Sequence, residues 1–225
     1  NNDAARHTPR INDLADPPKM GLTFRELLAL DLPDRDEIIF GLGRGEVGML
    51  NSVSNTGKTT LLRIIMICLC IGRTFSPLIR SSAPKRVAFL DFEDTLGFMR
   101  SDLKQMLAQC SEEEKELFND NALLVCDFRG DDDLDLRLSD PKHMRHVIEN
   151  LKKFSPDLII VDTIGSSFDI TQENDNAEVR RHVMRPLKKL AKSVNAVVLA
   201  SHHIGKSKSE EGQVREASFR GRGAS

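Results

Sequence analysis

Short apolar runs alternate with longer amphipathic stretches along most of the chain. Five of the apolar runs predict strands: Val47–Val53, Arg86–Phe92, Ala122–Phe128, Leu158–Thr163 and Ala196–Ser201. The stretches between them predict helices over Lys58–Arg73, Thr95–Cys110, Ser111–Phe118, Pro141–Phe154 and Asn176–Ser193. This alternation is typical of parallel strands joined by crossover helices, and near-continuous apolar strands are typical of a sheet covered on both faces. The pattern therefore predicts an α/β fold with a mostly parallel sheet flanked by helices on both faces.

The N-terminal part of the chain differs from this pattern. Residues 1–21 are polar and contain three prolines, which indicates an arm without packed structure. Thr23 and Glu26 form a capping-box sequence ahead of the amphipathic run Phe24–Leu30, which predicts a short docking helix. We therefore expect an arm and a docking helix over residues 1–40, and one domain over residues 41–225.

Two further segments modify the predicted elements. Pro186 lies inside the last predicted helix, where it removes a backbone hydrogen bond and is expected to kink or split the helix. The acidic run Asp131–Asp135 predicts a solvated loop, with metal binding as a weaker alternative.

The composition limits the class of protein. The chain has 225 residues, of which 40% are hydrophobic, enough for one substantial core. Its formal net charge is -2, so any contact with DNA has to come from a local basic patch. The absence of Trp and Tyr removes the side chains most often used to stack bases, which counts against a stacking-platform protein.

No segment is predicted to cross a membrane. The longest apolar stretch, Leu61–Ile71, contains Arg63 and is shorter than the roughly 20 residues that span a bilayer. The N-terminus lacks the order of charged, apolar and small residues of a secretory signal, so a cytoplasmic location is expected. Four cysteines without metal-ligand spacing are expected to be reduced core thiols: Cys68, Cys70, Cys110 and Cys126.

The strongest chemical signal lies between the first predicted strand of the sheet and the helix that follows it. The segment consists of Ser52, Val53, Ser54, Asn55, Thr56, Gly57, Lys58, Thr59 and Thr60. A strand, a loop and a helix N-terminus in this order direct backbone N–H groups at an anion, which favours a phosphate-binding loop. Lys58 is then expected to reach the β- and γ-phosphates of ATP, and the Thr59 hydroxyl to coordinate Mg²⁺.

The match to the phosphate-loop pattern is incomplete. The usual pattern begins with Gly where this chain has Ser52, which leaves the backbone path of the loop open. The alternative, that Gly57 to Thr60 only begin a structural helix, has less support because the strand, the loop and the helix all fall in place.

Acidic residues follow two other predicted strands. Asp162 ends the run Leu158–Thr163, and a carboxylate there can hold the water shell of Mg²⁺ and complete the site with Thr59. Glu93 follows the strand that ends at Phe92 and is predicted to orient or deprotonate the attacking water. The alternative is that Glu93 or Asp94 merely caps the next helix.

The last predicted strand leads into two histidines and a basic stretch. His203 is predicted to sense the γ-phosphate, since adjacent strand residues point to opposite faces and His202 and His203 would not share a metal ion. The stretch after it, rich in Gly, Ser, Lys and Arg, is predicted to track a nucleic-acid backbone, with a solvated tail as the alternative. Its candidate contact residues are Lys206, Lys208, Arg220 and Arg222.

The order of these signals resembles the RecA-like P-loop ATPases, and more narrowly the plasmid RepA-type hexameric replicative helicases and their AAA_25-type relatives. The narrower resemblance rests on two segments, His202-His203-Ile204-Gly205-Lys206 and Arg222-Gly223-Ala224-Ser225. It covers the chain from about Gly41 onward. The resemblance implies a RecA-like sheet, ATP hydrolysis at subunit interfaces with Glu93 as base and His203 as sensor, and basic loops that face a central channel.

The resemblance also implies an arginine finger a short distance beyond Ser225, so a truncated chain is expected to bind ATP well and hydrolyse it slowly. The leading hypothesis is a ring-forming, hexameric DNA helicase or translocase of DNA replication that uses ATP and Mg²⁺ and binds single-stranded DNA. Two alternatives stay open: a regulatory or scaffold ATPase that switches a protein partner, and a recombinase-like filament former.

Overall fold

The computed structural model describes residues 21–31, 36–53, 55–76, 81, 83–126, 136–169 and 179–203. The chain divides into two compact units, Asn1–Asp36 and Glu37–Ser225. In the first unit the predicted short helix is present as α1, Phe24–Leu28, and its capping box forms as expected from Thr23 and Glu26. The docking role of this helix and the domain boundary at residue 40 stay predictions. The proposed arm, apart from Gly21, and the acidic run lie outside the described residues.

The second unit is built on a five-stranded parallel sheet. Its strands are β3 (Val47–Ser52), β4 (Val87–Asp91), β5 (Ala122–Val125), β6 (Leu158–Asp162) and β7 (Val197–His203). They lie in the order β3-β7-β6-β4-β5, and every neighbouring pair is parallel. All five strands were predicted from the apolar runs. The described bounds differ by one or two residues at most ends and by three at the C-terminal end of β5, and β7 extends through both histidines.

Helices connect the strands. They are α2 (Lys58–Ile71), α3 (Leu96–Leu107), α4 (Glu112–Asn121), α5 (Pro141–Phe154), α6 (Ile164–Ser167) and α7 (Arg185–Val194). A π-helical turn at Arg180–Met184 precedes α7 and interrupts the last predicted helix just before Pro186. The helical type therefore changes just before this proline, and the predicted kink or split stays a prediction.

Two cores cover the two faces of the sheet. Alternate residues of β4 point to opposite sides, so Val87 and Phe89 pack with α2, α3 and α4, whereas Ala88 and Leu90 pack with α5 and α7. The same alternation holds for β6 and β7. Apolar side chains lie on both faces of each central strand, which is why the strands appear in the sequence as continuous apolar runs. The parallel sheet with helices on both faces confirms the predicted RecA-like fold class.

A small hairpin was not predicted. Strands β1 (Glu37–Ile39) and β2 (Leu42–Gly43) pair antiparallel through a two-residue turn at Phe40 and Gly41. Both turn residues have positive φ, 52° and 72°, as a primed hairpin turn requires. Phe is uncommon at such a position, so the sequence lacked the usual Asn-Gly signal.

Candidate functional site

The predicted site residues of four strands meet at one edge of the sheet. Parallel pairing aligns the C-terminal ends of β3, β7, β6 and β4. Ser52 lies opposite His203, and Asp91 lies opposite Asp162. Ligands of open α/β sheets bind outside the carboxyl ends of the strands, so this edge is the candidate active site.

The loop between β3 and α2 contains two residues in the left-handed backbone region. Asn55 and Gly57 have positive φ, 62° and 81°, and Gly57 stands directly before the first turn of α2. An added side chain at Gly57 would meet no atom within 4 Å, so it is the left-handed backbone that requires glycine there. Ser54 lies outside the described residues.

The position of Ser52 explains why the loop does not need the first glycine of the usual pattern. It is the last residue of β3 and has an extended backbone, so the position does not need the conformational freedom of glycine. Its Oγ lies 2.5 Å from the Thr56 Oγ1 and accepts a hydrogen bond of 3.0 Å from the Lys58 Nζ. The serine hydroxyl therefore links the two ends of the loop.

Lys58 points back over the loop. Only 7% of its surface is exposed, and its Nζ also donates to the backbone oxygens of Ser52 at 3.0 Å and Val53 at 2.9 Å. Burial lowers the pKa of Lys58 below its ordinary value, while the nearby carboxylates of Asp162 and Glu93 oppose that shift. The ammonium group thus lies within electrostatic range of both predicted acids but is bonded to neutral oxygens, which a phosphate could replace.

Asp162 and Thr59 supply oxygen atoms suited to Mg²⁺. Asp162 is 2% exposed, and its Oδ1 accepts a hydrogen bond from the Ser201 hydroxyl of the neighbouring strand β7. Thr59 lies half-buried in the first turn of α2. Mg²⁺ prefers hydroxyl, carboxylate and water oxygens, so the donor set fits the ion.

Glu93 is held by hydroxyl groups that the sequence reading did not identify. Its Oε1 accepts hydrogen bonds from Thr163 at 2.8 Å and Ser166 at 3.1 Å. His203 Nε2 lies 3.6 Å from the same oxygen. No described residue donates to Oε2, so this second oxygen is the one available to a water molecule. Thr163 follows the β6 run directly, and this position next to Asp162 was the only signal that could have marked it.

The alternative that Glu93 or Asp94 caps the next helix is wrong. The cap of α3 is Thr95, whose side chain accepts a hydrogen bond from the Phe98 N–H. Asp91 instead accepts hydrogen bonds from the N–H groups of Glu93 and Asp94, at 3.1 and 3.0 Å, and shapes the turn after β4.

The remaining predictions divide between described and undescribed residues. Within the described ranges no group of three or more His, Cys, Asp or Glu side chains could hold a metal ion. The four cysteines form no disulfide; Cys68 and Cys70 are buried, whereas Cys110 and Cys126 are only half-buried. The predicted DNA contacts lie outside the described residues: Lys206, Lys208, Arg220 and Arg222.

Comparison with protein-family models matches residues 13–209 to AAA_25, described as an AAA domain. A search of curated proteins finds no match. Among the helices of the described residues, none combines the length and the apolar character that a membrane span requires. The matched range includes the loop at Ser52, the acids at the sheet edge and His203, and the chain therefore belongs to the AAA_25 family of P-loop ATPases.

Proposed function

We propose that the protein is a ring-forming, DNA-dependent ATPase of the helicase type that acts in DNA replication. The observation that carries the proposal is the position of His203. Its imidazole lies 3.6 Å from Glu93, and the chain continues from it directly into the basic segment of Lys206 and Lys208. A change at the γ-phosphate would therefore be passed through one side chain to the residues predicted to hold DNA.

The site residues divide the work of hydrolysis. Lys58 leaves the loop oxygens and binds the β- and γ-phosphates, where its charge stabilises the charge that develops on transfer. Thr59 would hold Mg²⁺ and Asp162 its water shell, and the ion would supply charge neutralisation at the same phosphates. Glu93, oriented by Thr163 and Ser166 through Oε1, takes the proton of the attacking water on Oε2. His203 donates a hydrogen bond to the γ-phosphate.

In this proposal the ATPase site lies between subunits of a homo-oligomer, a hexameric ring. ATP closes each interface and its hydrolysis opens it, so the basic segments grip and release the phosphate backbone of single-stranded DNA in turn. A backbone contact needs no base readout, which agrees with the lack of Trp and Tyr.

The test is steady-state ATP hydrolysis with and without single-stranded DNA. We expect DNA to stimulate turnover in the wild type and Lys58→Ala to reduce turnover by a factor on the order of 100 or more, because phosphate charge is left without its cation. Combined alanine replacement of Lys206 and Lys208 is expected to remove the stimulation. Alanine replacement of Lys188 and Lys189, exposed on α7, is the charge-matched control and should keep it.

Turnover that ignores DNA, in a protein that still depends on Lys58, would contradict the helicase proposal. It would favour an ATPase that switches a protein partner, a role that the net charge of -2 also fits. Electron microscopy with a non-hydrolysable ATP analogue separates a closed ring from a recombinase-like filament.

A further inference from the structure

Arg63 is a buried cation that the proposed chemistry does not use. It lies on α2, the helix that begins with Lys58, and 1% of its surface is exposed. Its two terminal nitrogens are ion-paired with different carboxylates: Nη1 with Asp102 of α3 at 2.5 Å, and Nη2 with Asp94. The guanidinium also lies 5.6 Å from the centre of the Phe98 ring.

Two of the carboxylates around Arg63 bracket Glu93 in the sequence. Asp94 follows Glu93 and is ion-paired with Nη2. Asp91 lies two residues before Glu93, and its Oδ2 is 3.8 Å from the same nitrogen. The other oxygen of Asp91 accepts the backbone N–H groups of Glu93 and Asp94. The turn that carries Glu93 is therefore ion-paired with this guanidinium through Asp94 and lies within ion-pair distance of it through Asp91.

We propose that Arg63 is a positioning residue of the ATPase, which fixes the turn at Glu93 relative to the phosphate-binding loop through Asp94 and Asp91. The proposal rests on the proposed role of Glu93 as general base. Lys58 and Arg63 share the first turns of α2, so the helix that binds phosphate also holds the turn that places the base.

The geometry explains why this residue is an arginine. A planar guanidinium presents separate N–H groups to two carboxylates in a fixed fork, whereas an ammonium offers one compact point of charge. A displacement of a reacting group by about 1 Å can cost roughly 100-fold in rate. Attachment of the Glu93 turn to a buried, doubly paired side chain keeps such displacements small.

The discriminating experiment compares Asp94→Asn with Asp102→Asn. Both changes remove one carboxylate of Arg63, and the two side chains are similarly exposed, 28% and 26%. Only Asp94 lies in the Glu93 turn. We expect Asp94→Asn to lower kcat by about 10- to 100-fold with little change in KM for ATP. Asp102→Asn is expected to lower kcat by less than about threefold, although its Tm should fall by about as much as that of Asp94→Asn.

A second arm repeats the Asp94 change in a Glu93→Gln background, measured as single-turnover ATP hydrolysis with excess enzyme. If Asp94 acts through Glu93, its replacement costs little more once the base is gone, so the two effects are not additive. Binding of a fluorescent ADP analogue checks that each variant still forms the nucleotide site.

The outcomes separate the two proposals. Suppose that the wild type hydrolyses ATP. Equal kcat losses for Asp94→Asn and Asp102→Asn, or an Asp94→Asn loss that adds to that of Glu93→Gln, then overturn the positioning role alone. A wild type that does not hydrolyse ATP, or a Glu93→Gln variant that hydrolyses it as fast as the wild type, overturns the role of Glu93 and the positioning role with it.

Discussion

Lys58 and Arg63 are buried cations on the same helix, and their surroundings are opposite. Lys58 is 7% exposed and bonded to oxygens of its own loop, whereas Arg63 is 1% exposed and ion-paired with Asp94 and Asp102. Burial lowers the pKa of Lys58, and the nearby acids do not fully offset it. Burial also disfavours the charge of Arg63, but the bonds to Asp102 and Asp94 outweigh it and raise the pKa of Arg63.

The difference shows how one helix can carry one cation that is suited to ligand binding and another that stabilises the fold. A cation whose charge is already satisfied by carboxylates has nothing to gain from a phosphate, and its removal leaves the half-buried Asp94 and Asp102 and the buried Asp91 without their cation. A cation held by neutral oxygens gains a strong partner when an anion arrives. Lys58 is therefore available to a ligand, and Arg63 is not.

The largest expected effect comes from a pair of methionine variants. Arg63→Met should lower the free energy of unfolding by about 3–5 kcal/mol, because a buried ion pair loses one partner. Lys58→Met should lower it by only about 1–2 kcal/mol, because the lost hydrogen bonds go to neutral oxygens, no ion pair is broken and the apolar stem is kept. Urea unfolding followed by circular dichroism measures both. Equal losses would contradict the comparison.

A smaller effect is expected from Arg63→Lys, which keeps the charge but loses the fork. We expect it to cost roughly 1–3 kcal/mol of stability, because one ammonium cannot bond Asp94 and Asp102 in the same geometry. The control is Arg73→Lys, in which the guanidinium is 51% exposed and paired with Glu114. This exposed pair should change stability much less than the buried one. An unaffected Arg63→Lys protein would show that charge alone suffices.

The smallest effect concerns pH. Burial raises the pKa of Asp91 above 3.8, although hydrogen bonds from the Asp94 and Glu93 N–H groups and the charge of Arg63 oppose it. Between 3.8 and the raised value the folded protein binds more protons than the unfolded chain, so the free energy of unfolding falls as pH rises through that window. Asp91→Asn should remove this fall.

Asp140 provides the contrast for that measurement. The Lys142 N–H lowers the pKa of this N-cap carboxylate below 3.8. Its contribution to stability is present above 3.8 and is lost as pH falls through the lowered value, so Asp140→Asn should remove a change of opposite sign. Urea unfolding at a series of acidic and neutral pH values distinguishes the two variants. Curves with the same change would contradict the assigned signs.

The sheet was predictable because its signal is local. Each central strand is apolar on both faces, and several helix starts carry a side chain with a physical reason to be there, such as Ser111 at α4 and Pro141 at α5. The hairpin at Phe40 and Gly41 was missed because its positive φ values depend on tertiary context and not on a favourable turn sequence.

The contacts within the site were not predictable in the same way. Strand ends identified Lys58, Asp162, Glu93 and His203 as neighbours, and the structure brings the acids within electrostatic range of Lys58. The bond from Thr163 to Glu93, by contrast, joins residues 70 positions apart. Such pairs follow from register and side-chain direction, which a single sequence does not specify. The roles assigned to these residues stay predictions until the variants are tested.

The strand order also has a consequence for synthesis on the ribosome. The phosphate-loop strand β3 pairs with β7, which begins at Val197, and not with β4, which follows it in the chain. At 5–20 residues per second, the roughly 150 residues between them take about 7–30 s to make. During that time Val47 and Met49 lack the strand with which they pair, so the nascent chain carries an incomplete nucleotide site and an unpaired strand edge.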